Sequence, residues 1–214
     1  MEKKRVIGFY DYTVLLTYLG LIFAFTGIVR VLNEDYRKGI ICLMCAGVCD
    51  MFDGAIAATK DRNRYEKHFG IQIDSLCDLV DFGVLPAILT YKIAGGTLIV
   101  EIIACAYVLC GLIRLAYFNV QEFERQQETD EKRSTYMGIP ITTSAIALPF
   151  VYILYSEFIR INTKIFPMIL VVLGIGFIAG IEIRKPKKIG KIIMVVFGIL
   201  ELIGVIFLCG AEML

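Results

Sequence analysis

The chain has 214 residues, 57% of them hydrophobic, with a mean hydropathy of +0.71 and a formal net charge of +1. Soluble domains hold nearer 45–50% apolar residues by the broad count, so lipid is expected as the main solvent. A balanced charge gives no bulk attraction to nucleic acid, and none is expected as a partner.

Seven apolar stretches follow one another along the chain, at about 12–32, 38–58, 74–93, 96–119, 138–159, 164–183 and 189–211. Each approaches the ~20 residues that a helix needs to cross a bilayer core. They are too long and continuous for barrel strands, and only helices or closed barrels satisfy the backbone in lipid. The expectation is all-α: a polytopic membrane helix bundle of about six to eight transmembrane helices, forming one domain over residues 1–214. No internal repeat or low-complexity segment is evident, nor a small-residue cleavage site after the first apolar run.

The polar ends of these stretches carry unequal charge. With seven spans, the N-terminus and the loops at 59–73, 120–137 and 184–191 share one side. They hold fifteen lysines and arginines against six on the other side, which sets the first side as cytoplasmic. Cysteines 42, 45, 49, 77, 105, 110 and 209 all fall in apolar runs, where the thiol behaves as a small hydrophobe. The Cys42/Cys45 spacing is therefore read as helix packing. The single His68 cannot make a zinc site.

Two aspartate pairs stand out. Asp50 and Asp53 lie near the cytoplasmic end of the second stretch, about 60° apart on a helix and so on one face. Asp74 and Asp78 open the third stretch, about 40° apart. Two antiparallel helices joined by a polar loop bring the pairs to one depth, where four carboxylates repel strongly. Hard divalent cations relieve that repulsion through oxygen ligands. Water-facing aspartates at helix ends, with Asp74 and Asp78 favoured by the helix dipole, are the bland alternative. Gly54, Ala57 and Ala58 leave the helix surface after Asp53 bare, for a phosphate or for a neighbouring helix. Gly70 suits a turn or a helix start. Arg114 is the only basic residue deep in a stretch, with Asn119 a little over one turn on. An intramembrane arginine is a functional candidate: for a substrate carboxylate, a lipid phosphate, or pairing with Glu101 or an aspartate.

Asp50-x-x-Asp53-Gly54-x-x-Ala57 followed by Gly70-x-x-x-Asp74-x-x-x-Asp78 resembles the signature of the CDP-alcohol phosphatidyltransferases. Segments 69–87, 111–119 and 137–140 resemble its phosphatidylserine synthase branch, and the likeness covers most of the chain. The resemblance implies a CDP-alcohol phosphotransferase-like fold and transfer of a phosphatidyl group from CDP-diacylglycerol to L-serine, forming phosphatidylserine and CMP. It implies that Asp50, Asp53, Asp74 and Asp78 hold Mg²⁺ or Mn²⁺, as two ions, with Ca²⁺ a non-productive occupant. Asp78 is then the general base, and Gly54, Ala57 and Gly70 stand at CDP-contact positions. It further implies a homodimer in a prokaryotic cell membrane, with its active site at the cytoplasmic face.

Three departures qualify the match. Ala58 stands where the family carries arginine, so Lys60 or Arg62 is the candidate to reach the same phosphates. The stretch from Ala58 to Gly70 is about three residues longer than the common spacing, which surface loops tolerate. Asp81 replaces a small residue; it either orients a ligand, accepts the serine ammonium, or is a vestibule charge without a role. For the acceptor, Arg114, Asn119 and Asp81 are the candidate contacts. Sister transferases acting on glycerol 3-phosphate or inositol phosphate stand beside this reading, as does a cation transporter with paired intramembrane aspartates.

Overall fold

A computed structural model describes residues 7–128, 135–157, 162–184 and 188–207. The described residues form α1 (Leu15–Leu32), α2 (Tyr36–Ala57), α3 (Arg64–Asp78), a wide π turn (Leu79–Val84), α4 (Leu85–Ile93) and α5 (Leu98–Glu128). After a short strand β1 (Thr135–Met137) and a 3₁₀ turn (Ile141–Thr143) come α6 (Ser144–Glu157), α7 (Ile165–Ile178), strand β2 (Glu182–Arg184) and α8 (Lys188–Phe207). The expected helical membrane bundle is what forms. α1, α2 and residues Leu98–Arg125 are each long and apolar enough to cross a bilayer, and shorter apolar helices accompany them. This is an integral membrane protein. Cys209 and several cations of the charge count (Lys3, Lys4, Arg5, Lys132, Arg133, Arg160, Lys185, Lys187) lie outside the described residues.

α1 and α2 pack closely because glycines remove the side chain at their contact. A Cβ on Gly27 would come within 3.0 Å of Cys42 of α2 and Leu85 of α4, and one on Gly39 of α2 would run into Val31 and lie 3.5 Å from the Gly27 carbonyl of α1. Cys42, Cys45, Cys49, Cys77, Cys105 and Cys110 are all free thiols, as the packing reading expected.

The third span begins earlier than its hydropathy suggests. Asn63 accepts from the Glu66 amide at 2.9 Å and the Glu66 side chain accepts from the Asn63 amide at 2.9 Å. This reciprocal cap starts α3 at Arg64, ten residues before the apolar run. Gly70 is thus mid-helix rather than at a turn, His68 lies on α3 rather than in a loop, and Asp74 and Asp78 lie more than two turns into a helix that runs on through residues 79–93. Their expected stabilisation by an N-terminal dipole is therefore corrected: they stand too far from the helix's first turn, where that effect acts.

Below Asp78 the helix widens. The Leu85 amide bonds to the carbonyl of Val80, five residues back. In an α-helix the Phe82 carbonyl would take the amide of residue 86, but residue 86 is a proline and has none. Two hydroxyls fill the place: Tyr107 donates to the Phe82 oxygen at 2.6 Å and Ser144 at 3.2 Å. The π turn is thereby fastened to α5 and α6 in the buried core.

Side-chain and strand contacts group the loops as the charge count did. β1 pairs antiparallel with β2, Thr135 opposite Arg184 and Met137 opposite Glu182, joining the second and third loops of the basic side. Lys60 meets Asp11 at 2.6 Å, joining the N-terminal segment to the loop before α3. His68 of α3 stacks on Phe123 near the end of α5, with ring centroids 5.2 Å apart, which ties the two pairs together. On the opposite side Lys92 pairs with Glu34 at 3.8 Å.

The shared acceptor at Phe82 sets a non-additive expectation. Tyr107→Phe or Ser144→Ala alone should lower stability by ~1 kcal/mol or less, since one hydroxyl still serves the carbonyl. The double variant should cost about 1–3 kcal/mol more than the singles combined. Thermal unfolding in detergent reads this, and simple additivity would contradict the shared-acceptor account.

Candidate active site

The two aspartate pairs meet. Carboxylate oxygens of Asp50, from the last third of α2, and of Asp74 and Asp78, from the end of α3, all lie within 4.8 Å of one another. Asp53 stands beside them: its carboxyl group reaches that of Asp74, and it accepts from the Thr17 hydroxyl of α1 at 3.3 Å. Three helices therefore build the cluster, α2 and α3 supplying the oxygens and α1 a supporting hydroxyl.

These residues fit a hard divalent cation. Oxygens on opposite sides of such an ion sit about 4–5 Å apart for metal–oxygen bonds of roughly 2.0–2.6 Å. The observed spread matches that span, and every donor is a carboxylate oxygen. Gly54 adds a bare surface next to Asp53, with no atom within 4 Å of where its Cβ would lie. Ala57 ends α2 half-buried, and Ala58 caps it exposed.

The cations arrange themselves unequally around the cluster. Arg114 of α5 is half-buried and close enough to Asp50 for their charges to interact. Pairing with Glu101 is not what it does: thirteen residues separate them along one helix, about 20 Å. Arg62 crosses over α3, its guanidinium nitrogen 2.8 Å from where a Cβ on Gly70 would be, and it interacts with Asp53. Lys60 turns elsewhere, to Asp11 at 2.6 Å and Glu66 at 3.6 Å. Of the two candidates to replace the arginine missing at position 58, Arg62 is the one facing the carboxylates.

Asn119 is committed to structure. Its Oδ1 accepts from the Ser75 hydroxyl at 2.8 Å and its Nδ2 donates to Gln72 at 3.4 Å, so it fastens α5 to α3 beside the site. Asp81 is 3% exposed, which removes the vestibule reading. Its charge is close enough to those of Asp50, Asp74 and Asp78 to act on them, and its Oδ2 lies 2.9 Å from where a Gly20 Cβ would be. Its Oδ1 has no hydrogen-bond partner among the described residues. Sequence reasoning also missed Thr17, for which α1 offers no motif, and the role of Pro86.

An apolar cavity of about 540 Å³ opens between α2, α6 and α8. Met44, Val48, Ala145, Ile146, Ile199 and Leu202 are among its lining residues, and among the described residues Asp50 is the only carboxylate on its wall. The carboxylate cluster thus borders a hydrophobic space.

A family model described as CDP-alcohol phosphatidyltransferase matches residues 13–180. The CDP-diacylglycerol–serine O-phosphatidyltransferase of Saccharomyces cerevisiae is 38% identical over 109 residues, covering 50% of this chain and 38% of that protein. The archaetidylserine synthase of Methanothermobacter thermautotrophicus is 30% identical, covering 73% of this chain and 65% of that protein. The CDP-diacylglycerol–serine O-phosphatidyltransferase of Methanocaldococcus jannaschii is 28% identical over 205 residues, 94% of this chain and 87% of that protein. The chain therefore spans less than two thirds of the length of the first two relatives.

The cluster predicts metal binding that can be read without turnover. Asp50→Asn and Asp74→Asn should each weaken Mn²⁺ binding at least about tenfold, the loss of one charged ligand. Paramagnetic resonance of Mn²⁺ titrated into detergent-solubilised protein measures it, and unchanged affinity in both variants would remove the metal assignment.

Proposed function

Because the chain belongs to the CDP-alcohol phosphatidyltransferase family, we propose that it transfers the phosphatidyl group of CDP-diacylglycerol to L-serine, yielding phosphatidylserine and CMP. The observation that carries this reading is the meeting of Asp50, Asp74 and Asp78, with Asp53 beside them, where Asp50 also lines the apolar cavity. It joins a site for a diphosphate to a site for lipid chains.

In this reading Asp50, Asp53, Asp74 and Asp78 hold Mg²⁺ or Mn²⁺, as two ions, and Ca²⁺ would occupy the site unproductively. When bound, such ions neutralise the diphosphate and the departing CMP. The chain's own groups do the rest. Gly54 and Ala57 leave room for the cytidine end, and Arg62 binds a phosphate oxygen over Gly70, where guanidinium geometry suits it. Asp78 takes the serine hydroxyl proton. The serine oxygen bonds to the phosphatidyl phosphorus, the bond from that phosphorus to the CMP oxygen breaks, and CMP leaves with the electron pair. Arg114 binds the serine carboxylate, and Asp81 orients the groups around the acceptor.

The acyl chains lie in the cavity between α2, α6 and α8, with the headgroup at the basic side of the bundle, which is the cytoplasmic face of a prokaryotic membrane. The functional unit is a homodimer, as the family resemblance implies.

Incorporation of labelled serine into lipid with CDP-diacylglycerol and Mn²⁺ tests the activity. Glycerol 3-phosphate and inositol phosphate in parallel distinguish the sister transferases, and preferred turnover of either would overturn the serine reading. Within that assay, Arg114→Ala should raise the KM for serine about ten- to a hundredfold, the loss of a charge-assisted contact. An equal rise in the KM for CDP-lipid would remove its carboxylate role.

The cavity makes a separate prediction. Gly198 lines it, and a Cβ there meets nothing within 4 Å, so Gly198→Phe fills space without displacing the helix. It should slow turnover of long-chain CDP-lipid at least about fivefold relative to a short-chain analogue. Equal effects on both chain lengths would place the acyl chains elsewhere.

A further inference from the structure

The N-terminal segment before α1 does not trail into solvent. Phe9 meets Phe69 of α3 edge-on, with ring centroids 5.3 Å apart. The Tyr18 hydroxyl donates to the Phe9 carbonyl at 3.1 Å, and Thr59 donates to the Tyr12 hydroxyl at 3.3 Å. Residues 9–13 thus strap across the loop that joins α2 to α3. At the centre of the strap is Asp11, which accepts from the Thr13 amide at 2.9 Å, from the Thr13 hydroxyl, and from Lys60 Nζ at 2.6 Å.

Lys60 has a second anion, Glu66, at 3.6 Å. Glu66 in turn closes the cap that starts α3 by accepting from the Asn63 amide. Asp11, Lys60, Glu66 and Asn63 form a continuous chain of polar contacts, and Arg62 lies inside it, two residues from Lys60 and one from Asn63. The loop of 58–63 is longer than the pattern requires and would otherwise sample many conformations. Pinned at Lys60 and at Asn63, it has little freedom left in between, and Arg62 is held over Gly70 facing Asp53.

We infer that Asp11, Lys60 and Glu66 are positioning residues for Arg62: their ion-pair latch holds the loop so that one arginine covers the phosphate site that Ala58 leaves open. The inference rests on the proposed phosphate role of Arg62. Lys60 itself does not touch substrate in this account; its ammonium is spent between two carboxylates. The Lys60 hydrogen bond, followed by those from Thr13, holds the Asp11 carboxyl down at about 2 from its ordinary 3.8. Asp11 therefore keeps its charge until pH falls through about 2, and the Asp11 hydrogen bond raises the Lys60 pKa, so the Asp11–Lys60 pair is a fixed brace at neutral pH.

The test is a set of steady-state measurements on the full chain in detergent or vesicles, with CDP-diacylglycerol varied at saturating serine. Arg62→Ala should raise the KM for CDP-lipid roughly tenfold or more. Asp11→Asn and Lys60→Met should raise it roughly two- to fivefold with little change in kcat, and Lys60→Arg should restore the original value. In the Arg62→Ala background, Asp11→Asn and Lys60→Met should add nothing. If Asp11→Asn lowers the KM, freed Lys60 binds phosphate directly and the latch is overturned. Persistence of the Asp11 effect without Arg62 overturns it as well. A silent Arg62→Ala is a different failure: it removes the phosphate reading of Arg62 first, and the latch falls for want of a target.

Discussion

Four carboxylates held together inside a lipid-facing bundle repel one another, and that repulsion is the constraint around which the neighbouring structure is arranged. Two unit charges about 4 Å apart interact far more strongly in a protein interior than in water, and burial raises the cost again. Asp50, Asp53, Asp74 and Asp78 therefore need fixed partners. Thr17 donates to Asp53, while Arg62 and Arg114 approach from opposite ends of the cluster. The cation that the oxygen spacing suits supplies the remaining balance. Folding and ligand binding are coupled here in one direction: what neutralises the carboxylates also tightens the contact between α2 and α3.

Holding α3 at the right height falls to the backbone irregularity that begins directly after Asp78. Pro86 removes the amide that would continue the helix, the turn widens, and the Phe82 carbonyl becomes an acceptor for hydroxyls on two other helices. A straight α-helix through 79–84 would slide past α5 and α6 with no polar contact to fix its register. Within that widened turn Asp81 is buried against Gly20 of α1 while its charge still acts on Asp50, Asp74 and Asp78. A chemical cluster at one end of the helix and a hydrogen-bonded knot in its middle are thus parts of a single rigid element.

Much of this was legible from the residues. Apolar runs announced the helices, the charge imbalance grouped the loops, and the spacing of the aspartates pointed to carboxylates that the fold brings together. What stayed hidden has identifiable causes. The start of α3 was masked because its first turns are polar, although Asn63 and Glu66 stand at cap spacing. Thr17 carries no motif and reaches Asp53 only through the packing of α1 on α2. The choice between Lys60 and Arg62 depended on Asp11, 49 residues earlier, and no local pattern links the two. Asp81 kept an open vestibule alternative because nothing in the local sequence shows that α1 covers it. Local signals were reliable, and the misses came where a distant residue or a polar first turn decided the outcome.

The pairing of β1 with β2 bears on how such a chain settles into its membrane. The two strands flank α6 and α7, and they can bond only when both emerge on the same side of the bilayer. One failed crossing between them would strand the partners on opposite faces, with no way to meet. Six residues of ribbon therefore act as a parity check on insertion, closed only after the α6–α7 hairpin has entered and returned. Gly138 guards that closure at close range. Its φ of +72° is one that other residues rarely adopt, and a Cβ there would lie 2.5 Å from the Phe177 carbonyl. A larger residue at that position would press on the Phe177 carbonyl beside the ribbon and work against the pairing that holds the two ends of the hairpin together.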